Sequence, residues 1–205
     1  MSDTRHSRNP FVFCDMSYQL GDASSSASLI TIDRYMTDDF CISNLDLDEK
    51  PIIKIFGRSC HQQRNIGFFS SHSIGYQYSG QVAKSRPLTD AMSRILDQIN
   101  IEFHQQYNGI LINHYVDGSN YISAHSDDEK ELGRNNGVIA LSFGAPRLFR
   151  VRDRKTREIV KEVETSHGQL LIMNGNFQSL FTHEIPKQLK IKEYRTSLTF
   201  RNHCI

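Results

Sequence analysis

His125 and Asp127 stand one residue apart, and with His183 downstream they offer two imidazoles and one carboxylate. That donor set, with coordination positions left over, suits a non-haem Fe(II) centre and so points to oxidative chemistry. Side chains two apart on a strand leave from the same face, which lets His125 and Asp127 reach one ion from a single segment. His-x-Asp alone is weak evidence in a chain with nine histidines. The third donor must come from His167, His183 or His203. His167 precedes Gly168 and heads the apolar run Gln169 to Met173, a placement that suits turn or cap chemistry. His183 shares a strand face with Phe181 and Ile185 and so points inward, where a lone histidine is ordinarily a hydrogen-bonded core residue.

A second polar pattern shifts that balance. Arg195, Ser197, Thr199 and Arg201 alternate with Thr196, Leu198 and Phe200, so a strand here separates a polar from an apolar face. On an isolated strand the polar face would ordinarily meet solvent. If the apolar face packs against a helix, two guanidiniums and two hydroxyls point inward, which is costly unless an anion lies among them. A small dicarboxylate would satisfy both arginines through charge-assisted contacts. Asn113 and Tyr115, alternating with Leu111, supply neutral hydrogen bonds suited to a carboxylate or keto group beside a metal.

The elements that must position these groups are short. From residue 110 onwards, β-rich segments at 110–116, 121–127, 138–143, 148–152, 158–163, 169–173, 180–185 and 195–201 are separated by Gly, Asn and Asp. That pattern predicts a jelly-roll or related double-sheet β fold. Leu88, Ala91, Met92, Ile95, Leu96 and Ile99 recur at helical spacing and predict a flanking helix from Leu88 to Ile99, lying across a sheet. Pro87 and Thr89-Asp90 supply its start signals and Asn100 its stop. Pro51 to Phe56 reads as a strand turning at Gly57, and Tyr76 and Tyr78 share a strand face, where packing is the ordinary use of such a pair.

The length of 205 residues suits a partly mobile arm over 1–28, closing on a Ser-rich run, followed by a single domain over 29–205. Lys and Arg number 24 against 23 Asp and Glu, a net charge of +1, so no global polybasic surface is present. The densest basic stretch, Arg147, Arg150, Arg152, Arg154, Lys155 and Arg157, reads equally well as a phosphate track or a solvated hairpin tip. Four scattered cysteines lack any Cys-x-x-Cys spacing, and no apolar run of signal-peptide or membrane-spanning length occurs. A soluble, intracellular protein in nucleus or cytoplasm, without membrane contact, is expected.

The ordered motifs Asn113-His114-Tyr115-Val116-Asp117-Gly118, His125-Ser126-Asp127-Asp128-Glu129, Val138 to Gly144, His167 to Asn174, and His183 followed by Arg195 to Arg201 carry a more specific signal. Together they resemble the AlkB-type Fe(II)- and 2-oxoglutarate-dependent dioxygenases, especially the animal branch that repairs alkylated double-stranded DNA. The likeness runs from about Ile55 to Arg201. It implies a double-stranded β-helix core, jelly-roll or cupin-like, over about 108–203, with an N-terminal nucleotide-recognition lid over about 50–87.

The resemblance further implies Fe(II) on His125, Asp127 and His183, and O2 as co-reactant. It places 2-oxoglutarate on Asn113, Tyr115, Arg195, Thr199 and Arg201, with Arg195 at the distal carboxylate. The implied reaction is oxidative demethylation of 1-methyladenine and 3-methylcytosine in DNA, with RNA as a further substrate and formaldehyde as product. Phe56, Gly57 and Arg58 then match a hairpin pushed into the duplex, since an apolar wedge can offset the unstacking of a base. Tyr76, Gln77 and Tyr78 match the lid against which the flipped base stacks, and Asp128 and Glu129 match acids that read it. A monomer is expected. Two other readings stay open: an oxygenase acting on protein or a small molecule, and a binding module without catalysis, which loss of a metal ligand would suggest.

Overall fold

The computed structural model describes residues 16–20, 27–55, 57–70, 76–78, 81–128 and 137–202. Strands β1 (Met16–Leu20) and β2 (Ala27–Ile32) come first, then the hairpin of β3 (Ile52–Ile55) and β4 (Arg58–His61). β5 (Asn65–Ser70), the short pair β6 (Tyr76–Tyr78) and β7 (Gln81–Ala83), and β8 (Ser85–Arg86) precede the helix α1 (Asp90–Glu102). β9 (Gly109–Tyr115), β10 (Ile122–His125), β11 (Val138–Gly144), β12 (Arg147–Asp153), β13 (Ile159–Thr165) and β14 (Leu170–Gly175) follow. One helical turn, α2 (Phe177–Leu180), leads into β15 (Phe181–Ile185), and β16 (Arg195–Arg201) is last.

These strands form a large sheet in the order β1-β2-β14-β11-β16-β9-β5-β8 and a small sheet in the order β10-β15-β12-β13. This is the double-sheet β fold expected, with all eight predicted segments present as strands. The two sheets enclose one apolar cluster that includes Phe149, Val151, Leu171 and Phe181. A second cluster lies outside the large sheet, where α1 buries Met92, Ile95, Leu96 and Ile99 against Ile110, Ile112, Leu198 and Phe200. Each such side chain contributes roughly 1.5–3 kcal/mol.

The helix differs from its predicted bounds at both ends. Thr89 caps it, its Oγ1 accepting from the Met92 N–H at 3.3 Å, so the first helical residue is Asp90. Asn100 does not end it. Its side chain instead clasps Tyr107, donating to the carbonyl and accepting from the N–H, both at 2.8 Å, and the helix runs on to Glu102.

Residues 16–20, placed by sequence within a loose arm, pair in register with β2 from Met16↔Thr31 to Leu20↔Ala27. An open sheet edge recruits backbone whatever the side chains, and the Ser-rich composition nearby carries no sign of that. Between β2 and β3 the chain crosses in turns, tied down where the Met36 N–H donates to the Gly168 carbonyl at 3.2 Å. Gly168 has φ +72°, and a Cβ there would fall 1.7 Å from the Met36 carbonyl oxygen, so glycine is required. Among the described residues no helix is long and apolar enough to cross a membrane.

Candidate metal centre and anion pocket

The two sheets divide the chemistry between them. His125 ends β10 and His183 is central in β15, and the two are direct cross-strand partners. Their rings lie 4.3 Å apart. Asp127 completes the group, its Oδ1 3.7 Å from His125 Nε2 and its Oδ2 3.6 Å from His183 Nε2. One ligand atom from each residue falls within 4.8 Å of the others. The strand ends at His125, so Asp127 does not reach the cluster by pleat alternation as the spacing suggested. Its N–H donates to Gln178 Oε1 at 2.9 Å and its Oδ1 accepts from Arg201 Nη2 at 2.6 Å, and these contacts aim the carboxylate.

The donors are in the state a metal needs. Burial pushes the His125 pKa down to about 3, with His183 adding to the effect against the pull of Asp127. His183 is lowered by burial as well, against the attraction of Asp127. Burial alone would raise Asp127, but the Arg201 guanidinium holds it below the usual carboxylate value. His125 Nδ1 bonds to the Ser123 carbonyl at 2.9 Å, which leaves Nε2 as the free lone pair facing Asp127. Two neutral imidazoles and one ionised carboxylate therefore converge on a common point. This donor set fits a divalent transition metal with open positions, such as Fe(II).

The large sheet supplies the facing wall. Because Leu198 and Phe200 are taken up by α1, the alternate side chains of β16 point between the sheets. Arg195, Ser197, Thr199 and Arg201 are exposed by only 2, 5, 6 and 4%. The solvent-facing reading of this strand is thereby overturned, since the helix covers the opposite face. Asn113 and Tyr115 join them from β9, where Tyr115 pairs with Arg195 and Asn113 with Ser197. These side chains and the three metal-ligand candidates line one cleft. Arg195 donates to Ser142 Oγ at 2.9 Å, and among the described residues its Nε has no partner. Burial pulls its pKa down to about 10, opposed by Tyr115 and reinforced by the nearby Arg147. A buried guanidinium facing a cleft without a carboxylate of its own fits an anion there. A dicarboxylate such as 2-oxoglutarate meets that requirement.

The remaining predicted residues are distributed unevenly. The β3–β4 hairpin pairs Ile55 with Arg58, and Gly57 next to Arg58 has φ +78° and is exposed. Phe56 lies outside the described residues, as does Glu129. Tyr76, Gln77 and Tyr78 form β6 paired with β7. Asp128 follows the metal-ligand candidates directly and forms an ion pair with Arg154 at 2.8 Å.

The basic stretch is largely consumed internally. Arg147 is fully buried, bonded to the carbonyls of Asp117, Asn120 and Pro186 and to Gln188 Oε1. Arg150 and Arg152 both reach Glu184, and Arg150 also reaches Glu162. Those acids arrive from other strands, which spacing within residues 147–157 does not show. His167 does the turn work expected of it, its Nδ1 accepting from the Gly144 N–H at 3.3 Å.

Several site residues carried no sequence signal. Arg64, 5% exposed, donates from Nε to Asn113 Oδ1 at 2.6 Å. Gln178 and Ser142 position Asp127 and Arg195. Only Ser142 lies in a motif singled out beforehand.

Comparison with known proteins agrees with this geometry. Residues 49–201 match the model of the 2OG-Fe(II) oxygenase superfamily. The chain is 31% identical over 157 residues to "DNA oxidative demethylase ALKBH2" of Bos taurus, covering 73% of this chain and 56% of that protein. It is 35% identical over 137 residues to "Alpha-ketoglutarate-dependent dioxygenase alkB homolog 3" of Homo sapiens, covering 62% of this chain and 48% of that one. The chain thus spans about half the length of these curated relatives. Among solved structures, OsALKBH1 shares the fold with a TM-score of 0.55 at 15% identity, over 85% of this chain and 96% of that one.

Proposed function

The chain belongs to the 2OG-Fe(II) oxygenase superfamily, and from that premise we propose that it is an Fe(II)- and 2-oxoglutarate-dependent dioxygenase that demethylates N-alkylated bases of DNA. The substrates in this reading are 1-methyladenine and 3-methylcytosine, with RNA as a second nucleic acid. The observation that carries it is the convergence of His125, Asp127 and His183 on a cleft whose opposite wall holds Arg195 and Arg201. The relatives named as a DNA oxidative demethylase supply the substrate class.

His125, Asp127 and His183 would hold Fe(II). Arg195 takes the distal carboxylate of 2-oxoglutarate, and Arg201, Thr199, Asn113 and Tyr115 orient the end nearer the metal ligands. With iron, 2-oxoglutarate and O2 bound, the site supplies an oxidant for an N-methyl C–H bond, and the hydroxylated methyl leaves as formaldehyde. The aromatic ring and aliphatic side chains around the cleft, Phe149, Ile122, Met173 and Ile185, keep bulk water from the reacting carbon.

On the nucleic-acid side, the β3–β4 hairpin enters the duplex, with Phe56, Gly57 and Arg58 as the residues that contact it. Tyr76, Gln77 and Tyr78 cover the extruded base, and Asp128 and Glu129 read it. The lid over 50–87 and the core over 108–203 act as one domain, in a monomer. Arg154 pairs with Asp128 and orients its carboxylate.

The test is a panel of methylated single- and double-stranded DNA and RNA oligonucleotides, incubated with Fe(II), ascorbate and 2-oxoglutarate. Loss of the methyl group with stoichiometric formaldehyde is expected. Intact methylated bases, under conditions where succinate forms with a protein or small-molecule substrate, would refute the reading.

A further inference from the structure

A second cleft meets the metal-ligand candidates from another side. It shares Asn113, His125, Asp127 and Arg201 with the anion pocket and adds Gln62 and Arg64. Once a dicarboxylate occupies the first cleft, the second is the space left for the group that is oxidised. Its wall is fixed, because Arg64 is buried and anchored through Nε on Asn113 Oδ1 at 2.6 Å.

Gln62 stands out on this wall. Its backbone N–H is used, donating to the Pro51 carbonyl at 2.9 Å. The residue is 4% exposed, and among the described residues its side-chain carbonyl Oε1 has no hydrogen-bond donor. Buried carbonyls are nearly always paired, so an unpaired one in a cleft wall points to a ligand N–H that completes it. Both 1-methyladenine and 3-methylcytosine carry an exocyclic amine on the carbon next to the methylated ring nitrogen. A methyl aimed at the His125–Asp127–His183 cluster therefore brings that amine into the same cleft. The bases are cationic when methylated there, which strengthens the N–H as a donor.

We infer that Gln62 determines specificity, its side-chain carbonyl accepting a hydrogen bond from the exocyclic amine of the methylated base. This rests on the nucleobase reading above. In this orientation Gln62 favours amino bases over their oxo counterparts, which its amide could meet only by turning over to present its NH2.

The test compares 3-methylcytosine with 3-methyluracil in otherwise identical oligonucleotides, using the full chain with Fe(II) and 2-oxoglutarate. kcat/KM is read for each, with Kd by fluorescence anisotropy. Gln62→Leu is expected to lower the 3-methylcytosine value about tenfold while 3-methyluracil changes less than about twofold. Gln62→Glu, which can only accept, is expected to keep 3-methylcytosine and weaken 3-methyluracil, and it carries the test if the leucine variant does not fold. Equal losses on the two bases, or no loss on 3-methylcytosine, would overturn the inference alone. A wild-type chain that neither binds nor demethylates either base would overturn it together with the nucleobase reading.

Discussion

Arg201 donates from Nη2 to Oδ1 of Asp127 across 2.6 Å, with both side chains less than 5% exposed. The last strand of the large sheet thereby charges and orients the carboxylate that stands between two imidazoles of the small sheet. The anion pocket and the metal centre are one electrostatic unit, and changes in one are felt in the other.

Replacing Arg201 with alanine strands a buried carboxylate, at a cost of about 3 kcal/mol to the metal-free protein. A divalent cation restores the missing positive charge. Thermal unfolding should therefore show a larger rise in Tm on adding Mn(II) to Arg201→Ala than to the wild type. An equal rise would mean that the pair does not couple the two sites.

The wild type itself should gain stability from metal. At a hundredfold excess over Kd, binding to the native state alone contributes about 2.7 kcal/mol, or a Tm rise of roughly 5–10 °C for a chain of this size. His125→Ala removes a ligand that is a direct partner of His183. It is expected to lose both the metal-dependent rise and turnover, and EDTA should lower the wild-type Tm without moving that of the variant.

Arg195→Ala should act on the cosubstrate. Loss of a buried charged partner raises KM for 2-oxoglutarate on the order of 100-fold, while kcat at saturating cosubstrate changes little. Arg195→Lys recovers only part of the loss, because one ammonium nitrogen lacks the rigid planar fork that grips a carboxylate bidentately while also holding Ser142. Steady-state kinetics with varied 2-oxoglutarate check this, and an unchanged KM would displace the cosubstrate from β16.

Arg147 makes the opposite prediction. It lies in the basic stretch, yet its guanidinium ties together the carbonyls of Asp117, Asn120 and Pro186 and sits 5.5 Å from the centre of the Tyr115 ring. Arg147→Met should destabilise the fold by about 3 kcal/mol or more, measured by urea unfolding. Its effect on Kd for an oligonucleotide should show no change in salt dependence, in contrast with a phosphate contact.

Much of this protein was legible as alternation. Strand and helix positions follow from periods of two and 3.6 residues, and the face of β15 that carries His183 follows from Phe181 and Ile185 on either side. Boundaries set by side-chain bonds were not legible: Asn100 looks like a helix stop until Tyr107 arrives to occupy it. The Ser-rich stretch before β2 likewise conceals that β1 completes a sheet edge.

The amino-acid sequence by itself determined the donor types, the two-faced last strand and the double-sheet class, because each is a local pattern of polarity. Only the tertiary structure decided which face of β16 is buried, since that depends on α1 covering Leu198 and Phe200. It alone made His125 and His183 neighbours, through the β10–β15 pairing, and turned Asp127 toward them by means of Gln178 and Arg201. Acids distant along the chain also neutralised Arg150 and Arg152 in the basic stretch, and the packing around Gln62 left its side-chain carbonyl without a donor among the described residues. Each depends on which strands become neighbours, and residue spacing within one strand does not encode that.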